Sequence, residues 1–76
     1  MMEINKNAVG SLATALEHSM VLLQEKQYFL AQLQAESILE EIPSESGALY
    51  ILAISLRLQN KLTQALAVTD DLIKQA

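Results

Sequence analysis

Residues 47–58 read GALYILAISLRL, and this stretch is too apolar around its circumference to be an ordinary surface helix. At 100° per residue its apolar residues separate into two stripes. One stripe consists of Leu49, Leu52, Ala53 and Leu56, and the other of Tyr50, Ile51, Ile54 and Leu58. A helix with two apolar faces packs between neighbours or offers one face to a partner. We therefore expect the rest of the chain to be arranged around it.

The composition indicates one small all-α domain. The chain has 76 residues, 51% of them hydrophobic, with Gly 2 and Pro 1. This profile is rich in helix formers and poor in turn residues. A chain of this length buries only about 60% of its unfolded surface, so we expect modest stability.

Charge and cysteine content exclude several classes of function. The formal net charge is -4 with Lys+Arg 5, which argues against nucleic acid and acidic membrane surfaces as partners, because both require basic patches. With Cys 0 there is no disulfide framework and no thiolate chemistry. The start, MMEINKNAVG, does not have the pattern of a secretory signal, and no stretch reaches the roughly 18 apolar residues of a membrane span. A cytoplasmic protein without a cofactor is expected.

The first helix is predicted from about Ala8 to Glu25, after a frayed leader (residues 1–7) in which Asn5 or Asn7 supplies the cap. Its buried stripe is predicted to be Leu12, Ala15, Leu16, Ser19, Leu22 and Leu23. Propensity alone would allow a single helix through to Ile42. The apolar phase shifts at Tyr28, and so long a helix is rare in a small domain, so a break is expected near residues 24–27.

Three further helices are predicted. The second, about Gln27 to Glu41, ends before Pro43, which disfavours a helical residue before it. Its apolar residues form two sets, one of Tyr28, Ala31, Ala35, Ile38 and Ile42 and one of Phe29, Leu30 and Leu33.

Ser44 is the predicted cap of the third helix, and Asn60, which tolerates the left-handed conformation, is predicted to end it. The fourth begins at about Leu62, with a stripe of Leu62, Ala65, Leu66, Thr69, Leu72 and Ile73.

Shifting the chain against itself by 34 residues brings small residues onto small ones and large onto large. The matched pairs are Ser19 with Ala53, Leu22 with Leu56, Tyr28 with Leu62, Ala31 with Ala65, Ile38 with Leu72 and Leu39 with Ile73. This period and pattern resemble the tetratricopeptide repeat (TPR), a helix-turn-helix unit of 34 residues. The resemblance implies a single TPR-like domain over residues 1–76, with a first repeat of about 12–45 and a second of about 46–76.

The first repeat departs from the family's pattern. His18 stands where leucine is usual, Ala15 where a large aromatic is usual, and Lys26 where glycine makes the turn. Ala35 and Thr69 occupy positions where an aromatic residue is common. A plain pair of helical hairpins, or a four-helix bundle, is the alternative architecture.

The resemblance implies non-catalytic binding of a peptide or helix on a concave surface. The residues expected on that surface are Leu16, Met20, Leu23, Gln24, Tyr50, Ile54, Arg57 and Leu58. Because most of them are apolar, an apolar segment is expected there, and not the C-terminal carboxylate that one subgroup of the family binds with lysine and asparagine. These residues could alternatively be core or a self-association surface. Exposure of Leu62, Leu66 and Ile73 would favour self-association of the isolated chain.

Residues that could support chemistry are few. His18 has no second ligand at i+3 or i+4, so a packing role in a half-buried position is expected and no metal site. The adjacent pairs Glu40 and Glu41, and Asp70 and Asp71, diverge on a helix and suit solvated faces. No enzyme activity is expected in this segment.

A second hypothesis is that the segment is the N-terminal accessory region of a larger bacterial enzyme, such as the sulfotransferase-like or glycosyltransferase-like proteins with leading TPR units.

Overall fold

The computed structural model describes the backbone of residues 2–75 and the side chains of residues 11–75. The described chain is all-α, with four helices: α1 (Met2–Gln24), α2 (Tyr28–Glu41), α3 (Ser46–Leu58) and α4 (Leu62–Gln75). Successive helices join through short turns into two antiparallel hairpins, α1–α2 and α3–α4, which stack on each other. Helix α3 contacts all three other helices. The predicted fold class and the central position of the third helix are confirmed.

The core forms where small residues let the helices approach closely. Ala31 and Ala35 of α2 and Ala65 of α4 are buried around α3, in one cluster with Ile51, Leu52 and Leu56. Ser19 and Ser55 are fully buried. Each serine hydroxyl donates to a carbonyl of its own helix, Ser19 to Ala15 at 2.9 Å and Ser55 to Leu52 at 2.9 Å. These bonds satisfy hydroxyls that burial would otherwise leave without water.

Both hairpins turn in the same way. Lys26 and Asn60 adopt the left-handed conformation, with φ of 64° and 66°. In the first turn the Gln27 N–H donates to the Leu22 carbonyl at 2.8 Å, and in the second the Lys61 N–H donates to the Leu56 carbonyl at 2.9 Å. This is the Schellman arrangement that closes many helix C-termini. The predicted end of α3 at Asn60 is confirmed, and so is the break after α1.

Two helix starts differ from the sequence-based expectation. Helix α1 begins at Met2 and not near Ala8, so residues 2–7, which were predicted to be a frayed leader, are helical and Asn5 and Asn7 lie within the helix. Residues 1–7 contain no proline or glycine to stop a helix from extending. Helix α3 is capped by Glu45 and not by Ser44: the Glu45 carboxylate accepts the Ala48 N–H at 3.1 Å.

Candidate functional site: an apolar groove between α3 and α4

A groove of about 360 Å³ runs between α3 and α4. Its lining is mostly aliphatic, with one phenol, one hydroxyl and one guanidinium. The lining residues are Tyr50, Ala53, Ile54, Arg57, Leu62, Ala65, Leu66, Thr69 and Leu72. Tyr50, Leu62 and Leu66 are exposed, and residue Leu66 is 70% accessible to solvent. The groove therefore leaves apolar surface in contact with water, which is unfavourable in free energy.

Helix α3 presents one side to this groove because its residues divide among three faces. Leu49, Leu52 and Leu56 are buried. Ala48, Ile51 and Ser55 form a second buried stripe. At 100° per residue, Tyr50, Ala53 and Arg57 lie on the side opposite that second stripe. Of the first apolar face predicted for α3, Leu49, Leu52 and Leu56 are packed in the core, whereas Ala53 lines the groove. The second predicted face is divided: Ile51 is buried, Tyr50 and Ile54 line the groove, and Leu58 is exposed.

The structure brings together three of the eight residues expected at the binding surface. Tyr50, Ile54 and Arg57 all line the groove. Leu58 is exposed near the end of α3, and Met20 and Gln24 are exposed on α1. Leu16 and Leu23 are half-buried and pack against the core cluster. None of the described α1 residues belongs to the lining of this groove, which α3 and α4 form together.

Helix α4 contributes residues that the sequence analysis did not assign to a site. Leu62, Leu66, Thr69 and Leu72 provide one wall of the groove. The expected exposure of Leu62, Leu66 and Ile73 is confirmed. Their spacing at i, i+4 and i+11 was the available signal. It showed an apolar stripe but not which part of it another helix would leave uncovered.

Two other surfaces are weaker candidates. A cavity of about 450 Å³ between α1 and α2 mixes apolar residues with hydroxyl, amide and carboxylate groups, among them Ser11, Gln34 and Glu41. On α2 the side chains of Phe29, Leu30 and Leu33 are exposed. The ammonium group of Lys61 lies 5.4 Å from the centre of the Phe29 ring, so this face already has a cationic neighbour within the chain.

Titratable groups form no constellation in the part of the chain whose side chains are described. His18 is exposed and not half-buried, which corrects the packing role expected for it. Its position on α1 turns it to solvent, while Ser19 beside it is fully buried. No cluster of three or more His, Asp or Glu side chains there could hold a metal ion.

Within the described residues, no helix combines the length and the apolar character needed to cross a membrane.

No protein-family model matches this chain, and comparisons with curated proteins and with solved structures find no match either. Functional inference therefore rests on the geometry of the chain itself.

Proposed function

We propose that this chain is a non-catalytic protein-protein interaction module that holds an apolar peptide or helix in the groove between α3 and α4. The observation that carries the proposal is the row of exposed apolar side chains in that groove, Tyr50, Leu62 and Leu66. Large apolar side chains exposed side by side in a concave surface are typical of binding sites in small soluble domains. The proposal requires neither a cofactor nor a catalytic residue.

The hairpin architecture also supports this function. Both walls of the groove are helices anchored in the core, α3 through Leu52 and Leu56 and α4 through Ala65. A ligand would therefore meet a preformed surface, and little conformational entropy would be lost on binding. The resemblance to tetratricopeptide repeats, whose concave surfaces commonly hold peptides, is consistent with the same role.

The test is a selection of displayed random peptides against the wild-type chain, followed by measurement of the affinity of each recovered peptide. We expect apolar peptides whose binding is lost in Tyr50→Glu and in Ile54→Glu, because each variant places a charge in the groove. Gln64→Glu is the matched control, since Gln64 is exposed on α4 and does not line the groove. Circular dichroism of each variant verifies that it is folded. Recovered peptides that bind all three variants equally well would contradict the proposal.

A further inference from the structure

We propose that the occupant of the groove is an amphipathic helix that lies on the second hairpin as α3 lies on the first. The helix would carry an apolar residue opposite Leu66 and an acidic residue near Arg57. This inference rests on the proposed function and specifies the form and chemistry of the partner.

The first hairpin has a surface that corresponds to the groove, residue by residue, at a shift of 34 positions. The corresponding residues are Leu16, Ser19, Met20, Leu23, Tyr28, Ala31, Gln32, Ala35 and Ile38. All of them except Met20 are buried or half-buried. At the pair Gln32 and Leu66, for example, the two residues are 8% and 70% accessible. The same face is thus covered in one hairpin and open in the other.

Helix α3 provides the cover on the first hairpin. At its N-terminal end, a Cβ added to Gly47 would lie 3.3 Å from Cδ2 of Leu16. At its C-terminal end, Nε2 of Gln59 donates to Oε1 of Gln32 at 2.8 Å and to the Tyr28 carbonyl at 3.4 Å. Between these contacts its buried stripe of Ala48, Ile51 and Ser55 faces away from the α3–α4 groove. The chain therefore contains its own example of a helix docked on this kind of surface.

The equivalent pose on the second hairpin fixes the direction of the partner helix. Leu16 corresponds to Tyr50, so the N-terminal end of the partner would lie near Tyr50. Gln32 corresponds to Leu66, so its C-terminal end would lie near Leu66. The partner would then run parallel to α3 and antiparallel to α4, over a length of about 13 residues, the length of α3.

Differences between the two surfaces specify the chemistry of the partner. Gln32 offers an amide that Gln59 and Lys61 bond, at 2.8 Å and 3.2 Å. Leu66 offers no polar atom, so a glutamine placed opposite it would lose its hydrogen bonds on burial. An apolar residue is therefore favoured at that position. Arg57 stands where the first hairpin has Leu23, and its guanidinium favours a carboxylate on the partner.

The probe is a pair of fluorescein-labelled synthetic helices that carry the α3 stripe of Ala48, Ile51 and Ser55, with alanine, lysine and glutamate elsewhere. One has leucine at the position that corresponds to Gln59 (the leucine peptide), and the other retains glutamine (the glutamine peptide). Fluorescence anisotropy gives the ratio of their dissociation constants. We expect wild type to prefer the leucine peptide and Leu66→Gln to shift this ratio toward the glutamine peptide by about tenfold.

A second pair of probes tests the charge near Arg57. In one of these leucine peptides a glutamate flanks the leucine, and in the other a lysine replaces that glutamate. We expect Arg57→Glu to weaken binding of the peptide with glutamate by about threefold or more. The peptide with lysine should restore binding to the Arg57→Glu variant. Circular dichroism of the mixtures should show a gain in helical signal when the leucine peptide binds. Because Leu66 is largely exposed, Leu66→Gln should remain folded, and its own spectrum verifies this.

Three results would overturn the inference. The first is an unchanged ratio of the two peptides in Leu66→Gln. The second is binding without a gain in helical signal: an extended apolar peptide that binds in a Tyr50-dependent manner would leave the proposed function standing and reject the helix. The third is a groove filled by a second copy of the chain, seen as a dimer in sedimentation that the leucine peptide cannot displace.

Discussion

Lys26 and Asn60, which stand 34 positions apart in the sequence, hold the same left-handed backbone conformation, with φ of 64° and 66°. The residue after each of them bonds back to a leucine carbonyl, that of Leu22 or Leu56. The two hairpins thus share the geometry of their turns as well as the size pattern of their side chains. The structure therefore contains a geometric period in the backbone, which is independent of any similarity between the residues at the turns.

The left-handed position of Lys26 leads to the first prediction. A lysine there is strained by its Cβ, by roughly 1 kcal/mol, whereas glycine is not. We expect Lys26→Gly to raise the free energy of unfolding by about 0.5 kcal/mol. This gain is smaller than the relieved strain because glycine also increases the entropy of the unfolded chain, which offsets part of it. Asn60→Gly should gain less, because asparagine tolerates this conformation better. Urea denaturation measures both changes.

The control for these substitutions is Ala67→Gly. Ala67 is exposed within α4, where glycine should lower the free energy of unfolding by about 1 kcal/mol. If Lys26→Gly destabilised the chain as much as Ala67→Gly does, the strain assigned to Lys26 would be absent.

Sequence analysis predicted the hairpins because the signals that end their helices are local in the sequence. Pro43 stops α2, Asn60 tolerates the backbone that ends α3, and small residues recur where helices meet. The start of α1 was wrong because Asn5 and Asn7 cap a helix only if the preceding backbone is not helical, and capping propensity alone does not determine that. The choice of Glu45 over Ser44 depends on the turn, in which the Glu45 N–H donates to the Ile42 carbonyl at 3.1 Å.

The candidate site was predicted only in part, for a tertiary reason. Tyr50, Ile54 and Arg57 could be assigned to one face because the period of a helix determines which of its residues share a side. The wall that α4 provides depends on how α4 packs against α3, and the sequence of α4 alone does not determine that. Leu66 could therefore be recognised as a residue at risk of exposure but not as part of a groove.

A pair of matched substitutions tests whether α3 covers one hairpin while the corresponding face of the other is open. Ala35 is fully buried, whereas Thr69, its counterpart 34 positions later, is exposed. We expect Ala35→Leu to lower the free energy of unfolding by about 1–3 kcal/mol, because the added atoms have no space. Thr69→Leu should change it by less than about 0.5 kcal/mol. Thermal and urea denaturation of both variants give the comparison, and equal losses would contradict the difference in cover.

The cap of α3 can be tested by a double-mutant cycle. A Cβ at Gly47 would lie 2.9 Å from Oε1 of Glu45, the same oxygen that accepts the Ala48 N–H. We expect Glu45→Ala alone to cost about 0.5–1 kcal/mol through the lost cap. Gly47→Ala should stabilise the Glu45→Ala chain by up to about 1 kcal/mol through helix propensity, but should gain little in the wild-type chain, where it displaces the cap. The expected coupling is roughly 0.5–1 kcal/mol in urea denaturation, and strictly additive effects would show that Gly47 and Glu45 do not compete for space.

The last prediction concerns self-association of the isolated chain. Leu62, Leu66 and Ile73 expose large aliphatic side chains along α4, and association of two copies through them would remove apolar surface from water. We therefore expect weak self-association that grows with concentration and that Leu66→Glu reduces, since a carboxylate buried between copies would have to lose its hydration. Sedimentation velocity over a range of concentrations measures the effect, with Gln64→Glu as the variant of equal charge away from the groove. Because Leu66 is largely exposed, the free energy of unfolding should change by less than about 0.5 kcal/mol in Leu66→Glu, so that a fall in association reports on the surface and not on folding. Equal association of the two variants would mean that the copies meet through another face, such as the exposed Phe29, Leu30 and Leu33 of α2.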